Sequence, residues 1–102
     1  MTEQMITYLT QESYQKGLIF VKYFDRITEL FLMHYEIKWR TRNQALIKDV
    51  DSNKEFLVVV ASENQRGRRS NHIIIDKRID DDIVDKVIIP CLSGWSRKVE
   101  LF

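Results

Sequence analysis

Residues 56–92 read FLVVVASENQRGRRSNHIIIDKRIDDDIVDKVIIPCL, and the fold is expected to be built around this stretch. Two short runs rich in β-branched residues, 56–60 and 73–75, have the composition of buried strands. A polar, basic loop joins them, and the second run ends on Asp76. Beyond Asp76, apolar residues recur at helical spacing from Ile83 onward, and Pro90 stops the pattern. The stretch therefore predicts a strand, a basic loop, a strand with a carboxylate at its C-terminal end, and a helix.

The longest periodic stretch of the chain is residues 13–46. Its apolar and aromatic residues recur at spacings of three and four, which is typical of a helix with one buried face. They are Phe20, Tyr23, Phe24, Ile27, Leu30, Phe31, His34, Tyr35 and Ile37. Ser13 is the candidate N-cap. We therefore expect a long aromatic helix that buries Phe24, Ile27 and Phe31.

Turn-forming residues divide the remaining apolar runs. Residues 48–54, KDVDSNK, predict a turn between strands at 45–50 and 56–60, so the helix should end near Arg42. The alternating residues 98–102 predict an edge strand.

The 102 residues are expected to form a single domain spanning 1–102. The predicted fold class is α+β or α/β, with a long N-terminal aromatic helix and a small sheet of two to four strands. A second helix follows the strand that ends at Asp76. Val58, Val60, Ile73 and Ile75 should lie in the core.

The composition limits the cellular compartment and the kind of partner that can be expected. A hydrophobic content of 44% and a charged content of 30% are typical of a globular protein in water. The net charge of +1 indicates neither general nucleic-acid binding nor an acidic DNA mimic. Cys91 is the single cysteine, which fits a reducing cytosol. We find no signal-peptide pattern and no apolar run near the ~20 residues of a membrane span, so a cytoplasmic protein without membrane contact is expected.

The positive charge is local and lies in the loop between the two strand runs. Arg66, Arg68 and Arg69 stand within four positions, and arginine binds oxyanions with a planar, bidentate fork. Two interpretations stay open: a solvated surface loop, or a contact with phosphate, nucleic acid or an acidic partner. Trp95 is a further candidate for contact with a protein or nucleoprotein partner.

The residue pattern does not predict a metal site, a cofactor or a catalytic group. Residues 80–82 are three consecutive aspartates, which suit the start of a helix better than a converging ligand set. His34 and His72 have no second ligand at zinc spacing. Cys91 ends an apolar segment, so we expect it to be buried and not nucleophilic.

The same stretch resembles the ATPase domain of phage terminase large subunits, the DNA-packaging motors of tailed bacteriophages. The matching residues occur in order: 61–63 (ASE), Arg66 with Gly67, 69–71 (RSN), the strand ending at Asp76, and the helix at 83–92. In that family such a loop precedes the Walker B strand. The resemblance implies that Asp76 is a remnant Walker B residue, and it covers about a third of the chain.

The chain lacks the family's residues at the positions that ATP hydrolysis requires. Lys77 stands in place of the catalytic Glu, and no phosphate-loop motif occurs. We therefore expect no enzyme activity and no bound cofactor. The expected function is that of a small non-catalytic phage or prophage protein that binds a macromolecule. It could act as an inhibitor of a host enzyme or defence system, such as an anti-CRISPR, in the bacterial cytoplasm. The alternative is a fragment of a packaging ATPase that needs a missing phosphate-loop segment.

Overall fold

The computed structural model describes residues 16–102, which form a six-stranded mixed sheet. The strands are β1 (Gly17–Val21), β2 (Glu36–Arg40), β3 (Gln44–Lys48), β4 (Glu55–Val60), β5 (His72–Ile75) and β6 (Lys98–Leu101). They lie side by side in the order β2, β3, β4, β1, β5, β6. β1 runs parallel to β4 and β5, and β6 runs parallel to β5. β3 is antiparallel to β2 and β4, so the sheet joins a parallel half to a meander.

Two short helical segments pack against the sheet, and a 3₁₀ turn (Glu63–Gln65) lies in the loop between β4 and β5. The first, α1 (Arg26–Leu32), follows β1. The second begins as α2 (Asp81–Ile83) and continues through a π-helical turn (Val84–Ile88) and a 3₁₀ turn (Ile89–Cys91); we call residues 81–91 the α2 segment. Within residues 16–102, no helix has the length and apolar character that a membrane crossing requires.

The middle of the sheet is covered on both faces, which makes β1 a fully buried strand. On one face, Ile19 and Val21 of β1 pack in a cluster with Leu32 of α1, and we call this the α1 face. On the other, the α2 face, Leu18 and Phe20 of β1 share a cluster with residues of the α2 segment. The alternation of side chains along β1 therefore divides the core into two layers.

The predicted fold class is wrong in its helix and in its sheet. The described part of residues 13–46 contains β1, α1, β2 and β3 in place of one long helix, and the sheet has six strands, not two to four. The helical spacing arose from residues of several elements. A β-carbon at Gly17 would clash with the ring of Phe56, so this glycine leaves room for that ring beside β1. Ser13, the predicted N-cap, lies outside the described residues, and Asp25 caps α1.

The predicted burial of the aromatic stripe is also partly wrong. Phe24 and Phe31 are half-buried, and Ile27 is 57% exposed. The reason is that α1 has only seven residues and buries a narrow stripe, Thr28 and Leu32.

Several local predictions are confirmed. β3 and β4 pair as the predicted hairpin, and Asn53 in the connecting turn has a φ of 61°, a conformation that asparagine tolerates. β6 lies at an edge of the sheet. Val58, Ile73, Ile75 and Cys91 are buried, whereas Val60 is half-buried.

Candidate functional site

The loops that follow β1 and β5 flank a pocket at the C-terminal end of the sheet, lined by Lys22, Tyr23, Ala61, Ile79, Asp80 and Ile83. β1 and β5 are neighbours and run parallel. The chain leaves β1 toward α1 on one face, and it leaves β5 toward the α2 segment on the other. In open α/β sheets, such a reversal of direction is where ligands bind. We call this place the β1–β5 crevice.

Asp76 directly follows β5 next to this crevice, and its carboxylate is engaged by the chain itself. Asp76 is only 3% exposed. Its Oδ2 accepts hydrogen bonds from the backbone N–H of Lys22 at 3.0 Å and from Nη2 of Arg78 at 2.8 Å. Its Oδ1 accepts from the backbone N–H of Arg78 at 3.0 Å, and the Arg78 Nε lies 3.1 Å from both oxygens. Both carboxylate oxygens therefore have at least two donors.

Arg78 also binds a second carboxylate, that of Asp25. Its Nη1 and Nη2 donate to the two Asp25 oxygens. Asp25 Oδ1 also accepts from the backbone N–H of Thr28 at 3.1 Å, the hydrogen bond of an N-cap. The Thr28 hydroxyl lies 2.8 Å from the carbonyl oxygen of Tyr23 and donates to it, which anchors the loop between β1 and α1. We call Asp25, Asp76 and Arg78 the carboxylate–arginine cluster.

The cluster keeps both aspartates ionised. The hydrogen bond from Arg78, supported by the Thr28 N–H, lowers the pKa of Asp25. For Asp76, burial acts to raise the pKa, but the hydrogen bonds from Arg78 and Lys22 outweigh it and lower the pKa. The two carboxylates in turn raise the pKa of Arg78.

This arrangement joins loops and offers little to a ligand. A carboxylate that already accepts hydrogen bonds on both oxygens from an arginine and backbone N–H groups must lose them before it can bind a cation. Within residues 16–102, no set of three His, Cys, Asp or Glu side chains is placed to hold a metal ion. Lys77 is exposed, and its backbone N–H donates to the Phe102 carbonyl at 2.9 Å. The Walker B role of Asp76 stays a prediction from the resemblance.

The basic loop lies between β4 and β5 and is held at its C-terminal end by Ser70. The Ser70 side chain is fully buried, and its hydroxyl lies 2.8 Å from the Lys16 carbonyl oxygen. Its backbone N–H donates to the Cys91 carbonyl at 2.9 Å, and its own carbonyl accepts from Ser93 at 2.9 Å. The loop is therefore fixed to the end of the α2 segment. Arg66 and Arg69 are exposed and Arg68 is half-buried.

Trp95 follows the α2 segment and is 86% exposed. The side-chain Nδ2 of Asn71 donates to its carbonyl oxygen at 2.9 Å. Earlier in the loop, the Sγ of Cys91 lies 3.8 Å from the Gln65 carbonyl oxygen. The basic loop thus touches the segment that runs from Cys91 to Trp95 at more than one point. We call Arg66, Arg68, Arg69 and Trp95 the arginine–tryptophan surface.

The charges of this surface are not neutralised by the described part of the chain. Among residues 16–102, the ion pairs within 4 Å involve none of its three arginines. Arg97, which sequence reasoning missed, is also exposed, and its Nε donates to the Gly94 carbonyl at 3.2 Å. The segment from 93 to 97 therefore adds a further cation near the surface.

A second polar cluster at the opposite end of β5 was not predicted. His72 Nδ1 lies 3.0 Å from Lys54 Nζ, and His72 Nε2 lies 2.7 Å from Glu100 Oε2. The contact with His72 lowers the pKa of Glu100, and burial lowers the pKa of Lys54. The three residues lie on different strands or their ends, so no local spacing could have indicated them. They form a chain of hydrogen bonds from the residue before β4, past β1, to β5 and β6.

Comparisons of the chain with protein-family models, curated proteins and solved structures find no match. The resemblance to terminase ATPases therefore remains a hypothesis from the sequence.

Proposed function

We propose that this chain is a small non-catalytic protein that binds another macromolecule through the arginine–tryptophan surface. The observation that carries the proposal is the contrast in charge pairing. Arg78 is enclosed by two carboxylates, whereas Arg66 and Arg69 are exposed on a loop fixed at Ser70. A rigidly held loop that presents unneutralised guanidinium groups suits recognition of carboxylate or phosphate.

The arginine–tryptophan surface suits a partner that is a protein or nucleoprotein. An exposed tryptophan near several arginines is the composition of an interaction hot spot, and the same arginines can contact phosphate oxygens. The terminase-like sequence at 61–92 supports a phage or prophage origin. With it, the proposal includes inhibition of a host enzyme or defence system in the bacterial cytoplasm, as an anti-CRISPR does.

The experiment is capture of the partner from a lysate of a defence-competent host, followed by affinity measurements. Arg66→Ala combined with Arg69→Ala should weaken binding at least about tenfold, because each lost charge-assisted contact contributes about 1.5–3 kcal/mol. Added salt should weaken the wild-type complex as well.

Arg26→Ala combined with Arg42→Ala is the matched control, because both arginines are exposed and the charge change is the same. If the two double variants bind the captured partner equally well, the arginine–tryptophan surface is not the binding site.

The second candidate is a fragment of a packaging ATPase that needs a phosphate loop from elsewhere. It is favoured by the position of Asp76 at the C-terminal end of a buried parallel strand, beside the β1–β5 crevice. The guanidinium of Arg78 on that carboxylate argues against it. Magnesium-dependent ATP turnover that is lost in Asp76→Ala would support this candidate over the first.

A further inference from the structure

The two edges of the sheet differ in regularity. Within the described residues, β2 and β6 each have a neighbour on one side only. The pairing of β2 with β3 shifts register between Ile37 and Trp39, so Lys38 forms a bulge. β6 pairs with β5 over four residues without a shift. Bulges and lysines protect an edge against further strand pairing. Both edge strands carry a lysine, but only β2 has a bulge, so β6 keeps a straight row of backbone groups.

The outward backbone groups of β6 can be assigned from its bonds to β5. The N–H of Lys98 donates to the Asn71 carbonyl at 2.7 Å, and the N–H of Phe102 donates to the Ile75 carbonyl at 3.0 Å. Since strand residues alternate in direction, the N–H and C=O groups of Val99 and Leu101 point away from β5. They form a row of hydrogen-bonding groups ready for another strand.

The side chains of β6 separate into an apolar row and a charged row. Val99 and Leu101 are in register with Ile73 and Ile75, so they lie on the α2 face, where they are 43% and 62% exposed. On the other face, Lys98 Nζ lies 3.4 Å from Glu100 Oε1. The edge therefore carries one cation and one anion, two residues apart on one face, and the other Glu100 oxygen, Oε2, lies 2.7 Å from His72 Nε2.

We propose that β6 pairs antiparallel with β6 of a second copy of the chain, which joins two sheets into one. The outward groups of the two strands face each other in registers centred on Lys98, Val99, Glu100 or Leu101, and the last of these pairs only residues 100–102. The first places Lys98 opposite Lys98 of the second copy, and the third opposes the two Glu100 side chains. Like charges directly opposite each other are destabilising.

Only the register centred on Val99 makes the charges complementary. It places Lys98 of each copy opposite Glu100 of the other, twice by symmetry. The same register brings the two Val99 residues together as a hydrogen-bonded pair, with Cα atoms about 5.5 Å apart. A symmetric pair of identical surfaces is the usual geometry of a homodimer. The dimer proposal does not rest on the partner binding proposed for the arginine–tryptophan surface.

The charge pairing is tested by sedimentation of the full chain over a concentration series. The wild type should show a monomer–dimer equilibrium. Lys98→Glu alone and Glu100→Lys alone should each weaken dimerisation about tenfold or more, because both cross-strand pairs become repulsive. A wild type that stays monomeric throughout the series overturns the proposal.

An equimolar mixture of the two single variants is the decisive arm of this experiment. In a mixed dimer, one copy carries carboxylates at both positions, 98 and 100, and the other carries ammonium groups at both. Both cross-strand pairs are then attractive again, so the mixture should restore dimers to about the wild-type level. A mixture that dimerises as weakly as its components overturns the proposal.

A disulfide cross-link tests the register without changing the charges. Val99→Cys should form a covalent dimer on mild oxidation, because the expected Cα separation of about 5.5 Å suits a disulfide. Ile37→Cys on the bulged edge is the matched control, since Ile37 and Val99 are both β-branched and are 44% and 43% exposed. The native Cys91 is 2% exposed, so it competes little for oxidation. Equal rates of cross-linking for the two variants would overturn the proposal.

Discussion

Arg78 and Arg69 are the same residue type in two different surroundings. Arg78 lies between the carboxylates of Asp25 and Asp76 and connects the loops that follow β1 and β5. Arg69 is exposed in the loop fixed at Ser70, and no carboxylate of residues 16–102 lies within 4 Å of it. The first guanidinium completes the fold, whereas the second remains available to a partner.

The difference shows what the two regions can do. Charges that are satisfied inside the chain resist exchange for a ligand, because the buried partner would be left unpaired. Exposed charges on a fixed loop cost the fold little stability when the partner is absent. They contribute to affinity when the partner binds. We therefore expect substitutions in the carboxylate–arginine cluster to change stability, and those in the arginine–tryptophan surface to change binding.

The largest expected effect is that of Asp76→Ala. The substitution removes the acceptor for two backbone N–H groups and for the Arg78 guanidinium. We expect the free energy of unfolding to fall by about 3 kcal/mol, measured by urea denaturation. Asp82→Ala is the control, because its carboxylate is exposed and, among residues 16–102, pairs only with Lys86 at 3.6 Å. If both variants lose the same amount, the cluster does not stabilise the fold.

A smaller effect on folding stability is expected at acidic pH. The pKa values of Asp25 and Asp76 are both lowered from 3.8, Asp25 by its hydrogen bond from Arg78 and Asp76 by its hydrogen bonds against the effect of burial. The folded state therefore binds fewer protons than the unfolded state, so this stability is fully present above pH 3.8 and is lost as the pH falls through the folded pKa values. The stability of wild type should fall more steeply below pH 3.8 than that of Asp25→Asn combined with Asp76→Asn. Parallel curves would contradict this assignment.

The smallest expected effect on stability is that of Arg66→Ala combined with Arg69→Ala. Exposed charges contribute about 0–1 kcal/mol each, so the melting temperature should change little. Arg78→Ala is the informative contrast, because the same change of residue type leaves the buried Asp76 without its cation and should lower the melting temperature clearly. A large loss in the double variant would mean that the loop arginines are structural.

Local sequence was sufficient to predict β4, β5 and the turn before β4. Each strand is a short apolar run, and residues 51–53 favour a turn whatever surrounds them. The same reasoning failed for residues 13–46. There, apolar and aromatic residues of β1, α1, β2 and the segments between them continue a helical spacing beyond the length of any single element. Periodicity alone cannot tell a buried strand from part of a buried helix.

The order of residues alone was enough to show that runs 56–60 and 73–75 form strands, that Asp76 ends a buried strand and that the arginines lie in a loop. What those polar groups meet depends on the folded arrangement. Arg78 contacts Asp25, 53 positions away in the chain, and Asn71 holds the carbonyl of Trp95, 24 positions away. Such contacts depend on which strands become neighbours, and strand order is set by the burial of two whole faces of the sheet, not by the residues adjacent in sequence.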